Sequence, residues 1–213
     1  MQKKQRFYQA FVKRPLDFLL SLTAFIIISP FLIIIAVLVK VKLGSPVLFR
    51  QERPGRNEKI FSLYKFRTMT DERDKDGELL PDAVRLTKFG KLLRKTSIDE
   101  LPELVNIIRG DMSIIGPRPL LIRYLPYYTE EEKHRHDIRP GLTGLAQVSG
   151  RNFLNWEDRF ALDLKYVYNI TFIGDCIIIL KTILKVIKRE DVLEADVEEI
   201  SFDDLDKERS KKV

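Results

Sequence analysis

The feature that most constrains this chain is an uncharged segment near its N-terminus. Residues 18–39 are 22 in number, and only Ser21, Thr23, Ser29 and Pro30 among them are not hydrophobic. A straight helix of this length rises about 33 Å at 1.5 Å per residue, which is enough to cross the hydrocarbon core of a bilayer. A cleaved signal peptide is disfavoured, because the apolar stretch is long and no small-residue cleavage site follows it. The segment is therefore expected to enter a membrane.

Two features favour a re-entrant path over a spanning helix or a buried core helix. Pro30 has no amide N–H and clashes with the preceding turn, so a kink or break is expected after Ser29, whose hydroxyl can bond a freed carbonyl. A spanning helix also concentrates its bases on the cytoplasmic side. Here bases flank both ends: Lys3, Lys4, Arg6, Lys13 and Arg14 precede the segment, and Lys40, Lys42, Arg50, Arg53 and Arg56 follow it. We therefore expect a helix–break–helix that dips into one leaflet.

Charged residues are unevenly distributed along the chain. The 213 residues carry 37 bases and 31 acids, a net charge of +6, but residues 190–213 hold ten acids and four bases, so residues 1–189 carry +12. A body this basic favours nucleic acid, an anionic membrane or phosphate-bearing substrates. The single cysteine, Cys176, excludes an internal disulfide framework. We expect a membrane helix in residues 1–43, a catalytic domain in residues 44–189 and an acidic, flexible tail in residues 190–213.

The pattern of the body predicts an α-rich α+β fold. Short strands are expected at residues 47–50 and 59–69, and a short helix at residues 85–93. The last helix of the body carries an apolar stripe and a separate line of lysines, which suits a helix on the membrane surface, although a core-facing helix is the alternative. Its apolar residues are Ile173, Cys176, Ile177, Leu180, Leu184 and Ile187, and its lysines are Lys181, Lys185 and Lys188.

Two adjacent carboxylates, Asp99 and Glu100, form the most suggestive site. An apolar stripe after them, with Pro102 in its first turn and Gly110 at its end, predicts a helix over residues 99–109. Both carboxylates would then lie at the positive end of the helix dipole, which keeps them ionised. One could bind a divalent cation while the other attacks an electrophile. The alternative is helix capping, by a box of Ser97 with Glu100 or by Asp99 itself.

Bases in stiff or glycine-bearing stretches are candidate phosphate ligands. Lys65 and Arg67 are two apart in a predicted strand and would share one face, which is either solvated or turned to an anion. Arg118 lies in the rigid loop GPRP at residues 116–119. The loops at residues 139–144 and 150–152 each carry an arginine, and loops of this kind can bring backbone N–H groups and a guanidinium close to an anion.

These stretches together resemble the bacterial sugar transferase family, whose small members are monotopic phosphoglycosyl transferases. The matching pieces are KR at residues 13–14, SP at 29–30, FRQERPG at 49–55, YKFRTM at 64–69, SIDELP at 97–102, GDMS at 110–113, GPRP at 116–119, RPGLTG at 139–144 and QVSGR at 147–151. Any one motif is weak, but the ordered set covers nearly all of residues 10–190.

The resemblance implies a two-step reaction. Asp99 would attack the β-phosphorus of a UDP-sugar and release UMP, and polyprenyl phosphate would then take the sugar phosphate from the aspartate. Glu100 would hold Mg²⁺, and Arg94 would orient the two carboxylates or the polyprenyl phosphate. The substrate-binding residues it implies are Lys65, Arg94, Pro117, Arg118, Arg139, Thr143, Gln147 and Arg151.

The resemblance also implies a place and partners. Within the family the chain is most similar to the N,N′-diacetylbacillosamine 1-phosphate transferases of bacterial protein N-glycosylation; initiation of O-antigen, capsule or exopolysaccharide is the alternative. The enzyme would sit on the cytoplasmic face of the inner membrane, with anionic lipids and downstream glycosyltransferases as further partners. Nucleic acid is not expected, because basic stripes interleaved with aromatic residues are lacking. A non-catalytic membrane scaffold is the remaining alternative class.

Overall fold

A computed structural model of the protein describes residues 7–150, 154–188 and 205–210. The fold is mostly helical, as the sequence predicts, and its described strands form two small sheets. The α-helices are α1 (Lys13–Leu43), α2 (Asp82–Arg85), α3 (Lys88–Lys95), α4 (Glu103–Arg109), α5 (Leu145–Ser149), α6 (Trp156–Tyr168), α7 (Phe172–Lys188) and α8 (Leu205–Ser210). The strands are β1 (Leu48–Pro54), β2 (Ile60–Phe66), β3 (Ser113–Ile115) and β4 (Gly141–Thr143). Tighter 3₁₀ turns cover Arg56–Glu58, Ile98–Glu100, Ile122–Tyr127 and Glu132–His136, and a π-helical turn, Tyr8–Val12, leads into α1.

Helix α1 runs through Pro30 without interruption, so the expected two half-helices are one element. Proline at this position leaves the carbonyl four residues earlier, that of Ile26, without its helical donor. The hydroxyl of Ser29 donates to this carbonyl at 2.8 Å, as the sequence suggested. Together with the turn before it, α1 is long and apolar enough to cross a membrane by length and composition. A re-entrant path for it stays a prediction.

One face of α1 packs against the body over the length of the helix. Near its C-terminal end, Val39 and Leu43 are buried against Phe66 and Leu93. The opposite face exposes large apolar side chains, which are Leu19, Leu20, Ile26, Ile27, Phe31, Ile33, Ile34, Val37 and Val41. An apolar surface of this extent marks a membrane or protein contact.

A buried polar cluster fixes the other end of α1. The ammonium of Lys13 lies 2.8 Å from Oδ2 of Asp175 in α7, and the same carboxylate accepts hydrogen bonds from the hydroxyls of Tyr8 and Tyr166. These partners satisfy charges that would be costly to bury alone. The body therefore holds α1 at both of its ends.

Helix α7 presents its apolar stripe to the outside. Ile173 is 71% exposed and Leu180 is 61% exposed, whereas Asp175 and Ile178 are the buried contacts with the body. The core-facing alternative for this stripe is therefore wrong. An exposed apolar face flanked by lysines suits an interfacial helix.

The first hairpin has two different faces. Strands β1 and β2 pair antiparallel, with Phe49 opposite Lys65, so these two side chains share a face. The next residue, Phe66, points to the other face and is buried against α1. The expected strands are confirmed with shifted ends, while the helix expected at residues 85–93 is two helices, α2 and α3. Strands β3 and β4 pair in parallel and were not anticipated.

Candidate active site

The carboxylate pair lies on a 3₁₀ turn rather than in a long helix. Asp99 and Glu100 fall in the turn Ile98–Glu100, and α4 begins only at Glu103, with Pro102 as its N-cap. The helix expected over residues 99–109 is therefore wrong at its start. Proline explains this, because its ring is incompatible with the helical turn that would precede it.

Capping does not account for the pair. Ser97 adopts the left-handed conformation, with φ of 54°, and its side chain makes no capping hydrogen bond. The Glu100 carboxylate turns to two cations instead of back to a backbone N–H. Asp99 is the N-cap of neither the turn nor α4. Neither capping role proposed from the sequence is observed, so the two side chains are available for other work.

Glu100 is held by two basic side chains. Nζ of Lys65 and Nη2 of Arg118 each lie 2.7 Å from its Oε1. Burial favours the neutral carboxyl, but the charges of Arg118 and Lys65 and their hydrogen bonds outweigh it and hold the pKa of Glu100 well below its ordinary value. Glu100 is therefore ionised throughout the physiological range.

Asp99 is in the opposite situation. It is 8% exposed, and within the described residues its carboxylate has neither a hydrogen bond nor an ion pair. Burial, and next the negative charge of Glu100, raise its pKa to about 6, against the lowering influence of Lys65, Arg94 and Arg118. Such a carboxylate is largely ionised at pH 7 and has free lone pairs. Adjacent carboxylates with pKa values pushed apart are typical of sites that divide chemical roles.

Lys65 also contacts a third carboxylate that sequence reasoning missed. Its Nζ lies 3.3 Å from Oε1 of Glu103, which is 3% exposed. Burial, followed by the charge of Glu100, raises the pKa of Glu103 to about 7. The spacing of three residues from Glu100 was the available signal, because residues three apart lie on the same helical face.

Arg118 sits in a loop that the second sheet fixes. Gly116 packs so tightly on the backbone of Arg139 and Gly141 that a Cβ there would lie 2.4 Å from the Arg139 carbonyl oxygen. The carbonyl of Pro117, a buried residue, accepts from the N–H of Gly141 at 2.9 Å. The loop is thus rigid, as the sequence predicts, while the Arg118 side chain is 44% exposed beyond its contact with Glu100.

Arg94 approaches the site from α3. Its Nε donates to Oγ1 of Thr68 at 3.0 Å, and its charge acts on Asp99. Arg67, by contrast, does not share the site with Lys65. It follows the end of β2 and donates to the carbonyls of Met69 and Ser45.

A second residue missed from the sequence is Arg53 of β1. Its Nη1 donates to the carbonyl of Pro119, in the loop that carries Arg118, at 3.2 Å. Its Nε is buried and has no hydrogen-bond partner in the part of the chain that the structure describes. The strand pairing supplies the signal, since Arg53 is four residues from Phe49 and so points to the same face as Lys65.

The other predicted binding residues make contacts away from Asp99 and Glu100, which we call the dyad. Nε of Arg139 donates to the carbonyl of Gly110 at 2.8 Å, at the end of α4. The hydroxyl of Thr143 lies 2.7 Å from that of Thr182 in α7, and Nε2 of Gln147 donates to a nearby backbone carbonyl. Arg151 lies outside the described residues. The structure thus brings together Lys65, Arg94, Asp99, Glu100 and Arg118.

The dyad suits a metal ion that takes most of its ligands from the substrate and from water. Within the described part of the chain, no group of three or more His, Cys, Asp or Glu side chains could hold a metal by itself. Both bases contact the same oxygen of Glu100, so its Oε2 has no partner among the described residues. Mg²⁺ is commonly held by one or two carboxylates together with substrate phosphates and waters. Glu100 therefore fits the magnesium role predicted for it.

Comparison with known sequences identifies the chain. The sequence profile of the bacterial sugar transferases matches residues 8–189. The chain belongs to the bacterial sugar transferase family. The family profile ends before α8 and includes every element that carries the site.

Curated relatives of this sugar transferase carry related names. It is 56% identical to an uncharacterized sugar transferase, EpsL, of Bacillus subtilis over 175 residues, which are 82% of this chain and 84% of the relative. It is 40% identical to the exopolysaccharide production protein ExoY of Rhizobium meliloti over 188 residues, 80% of this chain and 83% of that protein. It is 37% identical to the undecaprenyl-phosphate galactose phosphotransferase of Salmonella typhimurium over 198 residues, 84% of this chain but only 41% of that longer protein.

Proposed function

We propose that the protein transfers a sugar 1-phosphate from a UDP-sugar to polyprenyl phosphate and releases UMP. The observation that carries the proposal is the contrast within the dyad. Asp99 is buried and has no hydrogen bond or ion pair among the described residues, and it lies beside a Glu100 whose charge is fixed by Lys65 and Arg118. A free carboxylate among three bases is suited to attack a phosphorus whose oxygens those bases neutralise.

The first step forms the aspartyl phosphosugar. An oxygen of the Asp99 carboxylate bonds to the β-phosphorus, the bond from that phosphorus to the bridging oxygen breaks, and UMP leaves with this oxygen. Lys65 and Arg118, which both contact Glu100 beside Asp99, would bind the diphosphate oxygens as negative charge develops on the departing UMP. The positive charge of Arg94 also lowers the pKa of Asp99 and so favours its ionised form.

The second step returns the enzyme to its starting state. An oxygen of polyprenyl phosphate attacks the same phosphorus, and the bond to Asp99 breaks. The products are the lipid diphosphate sugar and the free carboxylate, so no proton need be supplied. A Mg²⁺ ion bound at Glu100 would neutralise diphosphate charge and stabilise the departing nucleotide.

The packing of α1 supports a one-leaflet placement, and the use of a soluble UDP-sugar favours the cytoplasmic face. Lys13 contacts the body at one end of the helix, and Leu43 contacts it at the other. A helix that crossed the bilayer would draw this charged body into the hydrocarbon with it, at a high cost. A helix that lies in one leaflet leaves the site at the interface, where a soluble nucleotide and a lipid phosphate can meet.

The names of the relatives favour a polysaccharide pathway. One relative is named for exopolysaccharide production and another for galactose phosphate transfer. We therefore place initiation of exopolysaccharide, O-antigen or capsule ahead of protein N-glycosylation. UDP-galactose, UDP-N-acetylgalactosamine, UDP-N-acetylglucosamine, UDP-glucose and UDP-N,N′-diacetylbacillosamine form the panel in which the release of UMP identifies the sugar.

The test is product identity with a matched pair of variants. Purified protein, Mg²⁺, polyprenyl phosphate and a UDP-sugar from the panel should yield UMP. Asp99→Asn should abolish it, whereas Asp137→Asn, a change at an exposed carboxylate, should not. Without polyprenyl phosphate, the wild type should release one burst of UMP and gain the mass of one sugar phosphate. Formation of UDP instead would identify a glycosyltransferase and refute the proposal.

A further inference from the structure

A helix beyond the family domain packs against the segment that follows Arg118. Leu205 of α8 is completely buried, and it lies in a cluster with Leu120, Tyr124 and the aromatic residues of α6. The profile match ends at residue 189, so α8 lies outside the part of the chain that defines the family. Within the segment expected to be a flexible tail, these six residues therefore form a docked helix.

The strongest contact of α8 is a two-pronged ion pair. Nη1 of Arg209 lies 2.6 Å from Oε2 of Glu132, and Nη2 lies 2.6 Å from Oε1. The two side chains are 16% and 11% exposed, and the guanidinium also lies 5.5 Å from the ring centre of Phe160. A bidentate, shielded pair is stronger and more directional than a surface salt bridge.

Glu132 begins the turn that supports Arg118. Its carboxylate accepts from the N–H of Thr129 at 2.8 Å, and it opens the 3₁₀ turn Glu132–His136. Three residues later, Arg135 of the same turn donates to the carbonyl of Arg118 at 2.8 Å. Arg135 is fixed in turn by Asp163, at 2.8 Å, and both of these side chains are buried.

A continuous set of contacts thus joins α8 to the dyad. It runs from Arg209 to Glu132, through the turn to Arg135, to the backbone of Arg118, and from the Arg118 guanidinium to Glu100. We propose that α8 is a positioning element for the nucleotide-binding arginine, and that Arg209 is a positioning residue of the transferase. The proposal rests on the proposed function, in which Arg118 binds the diphosphate.

The test separates affinity from turnover. Arg209→Gln should raise KM for the UDP-sugar about three- to tenfold and change kcat less than twofold, because coupling through such contacts amounts to about this much. The burst of UMP counts active molecules, so loss of folded enzyme is removed from both constants. Lys133→Gln is the control, since it removes one positive charge from the same turn at a side chain that is 41% exposed. It should change neither constant.

Two further variants show whether the effect passes through the proposed contacts. The exchange of charges in Arg209→Glu with Glu132→Arg should restore most of the affinity that Arg209→Glu loses. Adding Arg209→Gln to Arg118→Gln should change KM no further, because the positioned group is already gone. An unchanged KM in Arg209→Gln, or effects that multiply in the double variant, would overturn the proposal. A wild type that releases no UMP would instead count against the proposed function.

Discussion

The ammonium nitrogen of Lys65 lies 2.7 Å from Oε1 of Glu100, and this contact joins strand β2 to the turn that carries the dyad. The two side chains are 19% and 20% exposed, so water and salt screen their interaction only in part. The Lys65 ammonium therefore gives a strong positive potential where the diphosphate is expected to bind. The same charge helps to keep Glu100 ionised.

Replacement of Lys65 should reduce catalysis more than binding. Lys65→Ala should lower kcat for UMP release by about 100-fold or more, the usual loss for one preorganised electrostatic group, and change KM by less. Lys65→Arg keeps the charge and should lose less. Lys59→Ala, at an exposed lysine of the same hairpin, is the matched control. Equal activity of the two alanine variants would show that Lys65 does not act on the reacting phosphates.

Glu103 should make the affinity for the nucleotide sugar depend on pH. Its raised pKa of about 7 means that it is neutral below this pH and ionised above it. Ionisation of Glu103 adds a negative charge beside Lys65. KM for the UDP-sugar should therefore rise by about tenfold between pH 6 and pH 8. Glu103→Gln should keep the low KM throughout. A wild type and a Glu103→Gln variant with parallel KM profiles would contradict this assignment.

The same group should also affect stability in a defined direction. A carboxyl whose pKa is raised by folding contributes stability that is complete below its unfolded pKa and is lost as pH rises through its folded value. For Glu103 this loss falls between about pH 4.5 and pH 7. The Glu103→Gln variant should therefore have a higher Tm than the wild type at pH 8, and the two Tm values should be equal near pH 4.

The sequence predicts the candidate site residues well where particular charged residues recur in a fixed order of motifs along the chain. The dyad, Lys65, Arg94 and Arg118 were all predicted, and the structure brings them together. Glu103 was missed because its position beside Lys65 depends on how α4 packs against β2. A pattern of apolar residues gives the period of each element, but not the pairing between distant ones.

The roles of some predicted residues depend on contacts that no motif reveals. Arg139 and Thr143 belong to a glycine-bearing stretch that is typical of anion binding, yet their side chains bond a helix end and α7. The parallel pairing of β3 with β4 explains this, since each strand is only three residues long and leaves no periodic signal. Likewise, the acidic composition of residues 190–213 suggested mobility and hid Leu205, whose burial depends on a tertiary pocket.

Arg14 should contribute mainly to stability. Its guanidinium donates to the carbonyl of Ile107 at 2.6 Å and to that of Ile108 at 2.9 Å, in the last turn of α4. Carbonyls at a helix end lack most of their helical donors; that of Ile107 accepts only the N–H of Gly110 from the backbone of the described residues. Loss of the charged Arg14 donor costs about 1–3 kcal/mol. Arg14→Ala should therefore lower Tm by about 2–12 °C, given about 2–4 °C per kcal/mol at this chain length. Lys40→Ala, at an exposed base near the other end of α1, should leave Tm unchanged. A Tm loss shared equally by both variants would indicate a general effect of charge beside the membrane helix.

Pro30 should decide on which side of the membrane the two ends of α1 lie. In a Cys176→Ala background, single cysteines at Ala10 and Lys42, both exposed, can be labelled with a maleimide that does not cross membranes. If the helix dips into one leaflet, both cysteines should react in inside-out vesicles and neither in right-side-out vesicles.

Pro30→Leu restores the N–H and removes the ring clash, so a fraction of the chains should become spanning and expose one end on each side. UMP release should fall as that fraction rises, because a crossing helix would separate the body from one of its two anchoring contacts. Opposite labelling of the two ends in the wild type would rule out the one-leaflet placement.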